Sequence, residues 1–83
     1  MNKVLTEIYL PSINKSYDVF LPKQISIYEA INMLSTMMYN LSDGFFKPSN
    51  DTILCNKITG EIYDINKSIK DLNLQNGSKL MLI

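Results

Sequence analysis

Hydrophobic positions recur with two different periods along the chain, and the change from one to the other divides it into elements. Over residues 4–10 apolar and polar side chains alternate. Val4, Thr6 and Ile8 fall on one side and Leu5, Glu7 and Tyr9 on the other, with the β-branched and aromatic content of a strand. The alternation returns over 17–21, where Tyr17, Val19 and Leu21 oppose Asp18 and Phe20. Between them Pro11, Ser12, Asn14 and Ser16 supply turn chemistry, so the two runs form an antiparallel hairpin. Pro22 ends the second run because it cannot donate to a ladder. From Ile27 the period becomes 3.6. At about 100° per residue, Ile27, Ala30, Ile31, Leu34, Met38 and Leu41 fall within one arc of roughly 100°, which predicts a helix over 26–41. Ser26 and Glu29 have capping-box spacing at its start, and Gly44 marks its stop.

The second half is more broken. Residues 43–51 form a connection in which Phe45 and Phe46 are expected to cap one end of the core. Short strands are expected at 53–55 and 62–63, around a turn containing Thr59-Gly60. Residues 68–72 suit a single helical turn capped by Ser68, and Asn76-Gly77 is a reverse turn that launches a last strand over 79–83. The implied fold is α+β, a mixed sheet of four or five strands with one face packed on one main helix. The last strand pairs parallel beside the first, at the centre. No repeat or linker interrupts the chain, so residues 1–83 form a single domain.

Composition narrows the function. With 83 residues, 46% of them hydrophobic, there is material for one modest core. Eight lysines balance eight acids in a scattered arrangement without arginine, which leaves no basic face for nucleic acid. The absence of histidine removes the commonest general base and metal ligand together, and no cofactor or metal is expected. Cys55 lies in the apolar run 52–55 and reads as a small buried core residue of a reducing compartment. Asp43 and Asp51 flank a loop with no sign of a cleft between them, so the chain does not read as an enzyme. No stretch approaches the ~18–20 apolar residues of a membrane span, and the start lacks a signal-peptide layout. These features point to a cytoplasmic protein without direct membrane insertion.

The stretch Ser68-Ile69-Lys70-Asp71-Leu72-Asn73-Leu74-Gln75-Asn76-Gly77-Ser78-Lys79-Leu80-Met81-Leu82 resembles the closing stretch of ubiquitin. The run Leu54-Cys55-Asn56-Lys57-Ile58-Thr59-Gly60-Glu61-Ile62-Tyr63-Asp64, with Asn76-Gly77 after it and Tyr17-Asp18-Val19-Phe20-Leu21-Pro22 before the helix, resembles more closely the small bacterial ubiquitin-like proteins of the YukD/EsaB type. These accompany type VII (ESX, WXG100) secretion systems, where the same module also forms the cytosolic N-terminal domain of a membrane component. The resemblance implies a ubiquitin-like β-grasp fold and a cytosolic accessory that works through protein contacts. Ubiquitin and the sulfur carriers of its fold end in a flexible Gly-Gly tail, whereas these residues finish at Ile83 in the predicted last strand. A non-conjugating protein is therefore expected, the alternative being a carrier or modifier in another pathway. With Leu80 and Leu82 turned inward, Met81 and Ile83 face outward, and Leu5 and Phe20 do so by the same alternation. Leu54 joins them if Ile53 and Cys55 point inward. In the β-grasp strand order Leu5, Leu54, Met81 and Ile83 then form one patch with Phe20 near its margin. Ubiquitin uses the corresponding face for recognition, which implies that a protein partner, a secretion-system component or a second copy docks there.

Overall fold

The computed structural model describes residues 2–83. Four strands and one long helix follow in the order β1 (Lys3–Leu10), β2 (Lys15–Pro22), α1 (Ile27–Leu41), β3 (Leu54–Asn56) and β4 (Ser78–Leu82), with a 3-10 turn at Lys70–Leu72 before the last strand. The sheet order is β2-β1-β4-β3. β1 pairs antiparallel with β2 and parallel with β4, and β3 pairs antiparallel with β4, so the first and last strands occupy the centre as expected. Val4, Ile8, Leu10, Val19, Leu21, Leu80 and Leu82 point to one side and meet Ile27, Ala30, Ile31, Leu34 and Met38 of α1 in a single core. Thr6, the polar member of this face, is fully buried, and its hydroxyl donates to the Val19 carbonyl at 2.9 Å.

The helix starts where the sequence places it. The Ser26 hydroxyl accepts from the Glu29 N–H at 3.0 Å while the Glu29 carboxylate accepts from the Ser26 N–H at 3.2 Å. The two remaining free donors of the first turn are taken by a distant segment: Ile27 donates to the Lys67 carbonyl and Tyr28 to that of Ile65. At the other end Asp43 and Gly44 share the left-handed turn, at φ 54° and 81°, and the Gly44 N–H closes onto the Tyr39 carbonyl. Ser42, buried just past the last turn, accepts the Phe46 N–H at 2.8 Å through its hydroxyl, which draws Phe46 into the core.

Three expectations change. Leu41, the last residue of the helix, is half exposed, and the stripe that packs on the sheet ends at Met38. Phe45 and Phe46 separate, Phe46 filling the core and Phe45 standing in solvent, since the Ser42 hydroxyl anchors the Phe46 N–H at the end of the helix. The expected strand at 62–63 shrinks to a single bridge between Ile62 and Cys55.

The 3-10 turn is closed by a reciprocal pair. The Asp71 carboxylate accepts from the Ser68 N–H at 3.1 Å, and the Ser68 hydroxyl accepts from the Asp71 N–H at 3.3 Å. The bond from the Ser68 backbone, helped by the Ser68 hydroxyl and by Lys67 and Lys70, holds the Asp71 carboxyl below its ordinary value. A carboxyl depressed in the folded state stabilises the fold above its unfolded pKa, and that contribution is lost as pH falls through the folded one. Urea unfolding of the parent and Asp71→Asn at neutral pH and near pH 3 will therefore show the smaller acid-induced loss in the variant. At the centre of the stripe Leu34 is fully buried. Leu34→Ala is expected to cost about 2–5 kcal/mol in the same assay, and Leu34→Asp to abolish the cooperative transition.

Candidate functional site: the outward sheet face

The helix covers one side of the sheet, and the strand registers fix which side chains share the other. Three rows cross it. In the first, Leu5 lies opposite Phe20. In the second, Asp18 faces Glu7, Glu7 lies beside Lys79, and the Lys57 N–H bonds to the Lys79 carbonyl. In the third, Tyr9 lies beside Met81, Met81 faces Cys55, and Cys55 faces Ile62. Ile53 and Ile83 extend the third row into a patch, pairing through two mutual backbone bonds of 3.0 Å immediately beyond β3 and β4.

The apolar residues on this face therefore fall into two groups. Tyr9, Met81, Cys55, Ile62, Ile53 and Ile83 form the larger, in which Ile62 is 63% and Ile83 52% exposed. Leu5 and Phe20 form a pair toward the opposite corner. Between them runs the charged row, where the Glu7 carboxylate lies 3.8 Å from the Lys57 ammonium and 3.7 Å from that of Lys79. Lys57 also sits 4.5 Å above the centre of the Tyr9 ring.

Four of the five residues expected from the sequence, Leu5, Phe20, Met81 and Ile83, lie on this face, but not as the single patch expected: the charged row cuts Leu5 and Phe20 off from Met81 and Ile83. Leu54 does not lie on this face. It is opposite Leu82, 1% exposed, and belongs to the core. The phase of β3 is thus the reverse of the expected one, and Cys55 takes the outward place. In the apolar run Ile53-Leu54-Cys55 no polar residue marks which position faces water, so only pairing with β4 decides it. Cys55 is nonetheless covered by its neighbours, its thiol donates to the Met81 carbonyl at 3.6 Å, and burial raises its pKa. A protonated, enclosed thiol is a packing group. Tyr9, Ile53 and Ile62, none of them among the five expected residues, complete the patch. Tyr9 was legible from the alternation of β1, whereas Ile62 required knowledge of its bridge to Cys55.

No enclosed chemistry accompanies this face. An open groove of about 810 Å³ runs between α1 and residues 48–53, and among the described residues lining it Asp51 is the only charged one. Among the described residues no three His, Cys, Asp or Glu side chains gather as metal ligands do, and no helix is long and apolar enough to cross a membrane.

A four-stranded mixed sheet of order β2-β1-β4-β3 grasping one helix is the ubiquitin-like β-grasp fold. Solved structures share it. Caldiarchaeum subterraneum ubiquitin aligns with a TM-score of 0.74 at 15% identity, over 98% of this chain and 91% of its own. The ubiquitin-like domain of Plasmodium falciparum Dsk2 aligns with a TM-score of 0.72 at 11% identity, over 96% and 95%. A chain of the ESX-5 inner membrane complex aligns with a TM-score of 0.74 at 11% identity, over all of this chain and 21% of that one. At such identities the likeness is one of fold. No protein-family model matches the sequence, and no curated protein is measurably similar to it.

The two faces of the sheet respond oppositely to a charge. Leu54→Lys buries a charge in the core and is expected to unfold the domain, whereas Met81→Lys, on the outward face, is expected to change stability by no more than about 0.5–1 kcal/mol. Thermal melts of the two variants side by side measure the difference.

Proposed function

We propose that this chain is a ubiquitin-like protein-interaction module of the YukD/EsaB type, a cytosolic accessory that regulates or helps assemble a type VII (ESX/WXG100) secretion system. The observation that carries this reading is the apolar patch around Met81, the larger of the two apolar groups that the helix leaves uncovered on the sheet. Exposed apolar surface of this kind favours association with another protein. Its edge is set by the Glu7, Lys57 and Lys79 cluster, so a partner meets an apolar centre with a charged border on one side. The superposition of the whole chain on part of the ESX-5 inner membrane complex supports placing the module beside a secretion machine.

The test replaces the natural gene with one encoding Met81→Lys together with Ile62→Lys. Both positions face outward, so the melting curve is expected to stay close to that of the parent. Co-purification with the secretion membrane complex and export of WXG100 substrates are expected to fall severalfold. Full export and undiminished co-purification by the folded double variant would end this reading. Genes for an activating enzyme beside this one, in place of WXG100 substrates and an FtsK-type ATPase, would favour a carrier.

A further inference from the structure

The free edge of β2 lies across the sheet from the Met81 patch, and its polar groups can be assigned one by one. The Leu5 N–H donates to the Asn76 side chain at 2.9 Å and the Leu5 carbonyl accepts from Gly77 at 2.8 Å, so the odd residues of β1 turn their backbone groups toward β4. Its even residues then turn toward β2. The Thr6 hydroxyl reaching the Val19 carbonyl and the Lys23 N–H reaching the Asn2 carbonyl at 2.8 Å fit the same phase. It follows that in β2 the odd residues serve the ladder with β1, while the N–H and C=O groups of Ser16, Asp18 and Phe20 point away from the sheet. Lys15 and Pro22 bracket this edge, and Pro22 has no N–H to offer.

The same edge carries an exposed acid, Asp18, with no ion-pair partner among the described residues. Asp18 faces Glu7 directly across the strands, in the pairing whose side chains approach most closely. Like charges so placed are destabilising. Both cations of the charged row lie on the far side of Glu7, and among the described residues none bridges Asp18. The row thus reads acid, acid, lysine, lysine from β2 to the residue just past β3, and the position missing from it is a cation outside Asp18.

We infer that the β2 edge accepts an extended peptide segment as a fifth strand, one that sets a lysine or arginine opposite Asp18 and an apolar residue against Phe20. Such a segment uses the three free donor and acceptor pairs, extends the apolar pair of Phe20 and Leu5, and supplies the charge that the Asp18 and Glu7 pair lacks. A second copy is the poorer occupant. Antiparallel pairing of two β2 edges through Ser16, Asp18 and Phe20 puts each Asp18 opposite the other.

Two synthetic eight-residue peptides test this against the full chain. Both alternate threonine and valine, and they differ only in a central lysine or glutamate. The lysine peptide is expected to shift and protect from exchange the amides of Ser16, Asp18 and Phe20, and to bind about fivefold more tightly than the glutamate peptide. Asp18→Lys, which places a cation beside Glu7 and so does not threaten the fold, is expected to reverse that preference. Absence of change at these three amides with millimolar peptide would overturn the inference, as would a preference that Asp18→Lys leaves unaltered. Protection of the same amides that grows with protein concentration in the absence of peptide would overturn it in favour of the second copy. None of these readouts involves Met81 or Ile62, so the outcome is separate from that of the patch.

Discussion

Everything in this domain depends on β1 and β4 lying parallel at the centre of the sheet. The contact is among the most distant in the chain: the bond from the Leu5 N–H to the Asn76 side chain spans 71 residues. Closing so long a loop costs chain entropy before any contact returns it. The bond is made by the turn that the sequence marks most clearly. Gly77 takes φ 92°, a conformation open to glycine without a Cβ clash, and Asn76 supplies the side-chain oxygen that holds β1 in register. Once Thr6 stands beside Ser78, the phase of both central strands is set. Ile8 and Leu80 then turn to the helix while Tyr9 and Met81 turn away from it.

One irregular stretch serves both sides of the sheet. From 61 to 69 the chain has almost no regular structure, yet Ile62 bridges Cys55 and adds to the outward patch, Tyr63 enters the core, and Ile65 and Lys67 accept the first two amides of α1. With Ser26 taking the third, the start of the helix is hydrogen-bonded within the protein. The positions of the helix and of the patch are thereby tied to the same few residues.

The outward face is organised as much by charge as by apolar area. Partly exposed ion pairs such as Glu7 with Lys57 and Lys79 contribute little to stability, typically about 0–1 kcal/mol. Their effect here is spatial. They occupy the middle row and keep Leu5 and Phe20 apart from the Met81 patch, so that one sheet presents two surfaces of different character.

Local pattern sufficed for much of this. The spacing of Ile27, Ala30, Ile31, Leu34 and Met38, the Ser26 and Glu29 cap, and the alternation of β1, β2 and β4 are written in neighbouring residues, because periodicity and capping act over a few positions. Where the pattern was silent, distant contacts decided. Leu54 is apolar on both sides, so its direction came only from pairing with Leu82. Phe45 and Phe46 are identical side chains, and the Ser42 hydroxyl settled which one enters the core. The grouping of Tyr9, Met81, Cys55 and Ile62, and the separation of Leu5 and Phe20 from them, belong to the tertiary structure alone. Strand register places residues tens of positions apart side by side, and no local period encodes that neighbour.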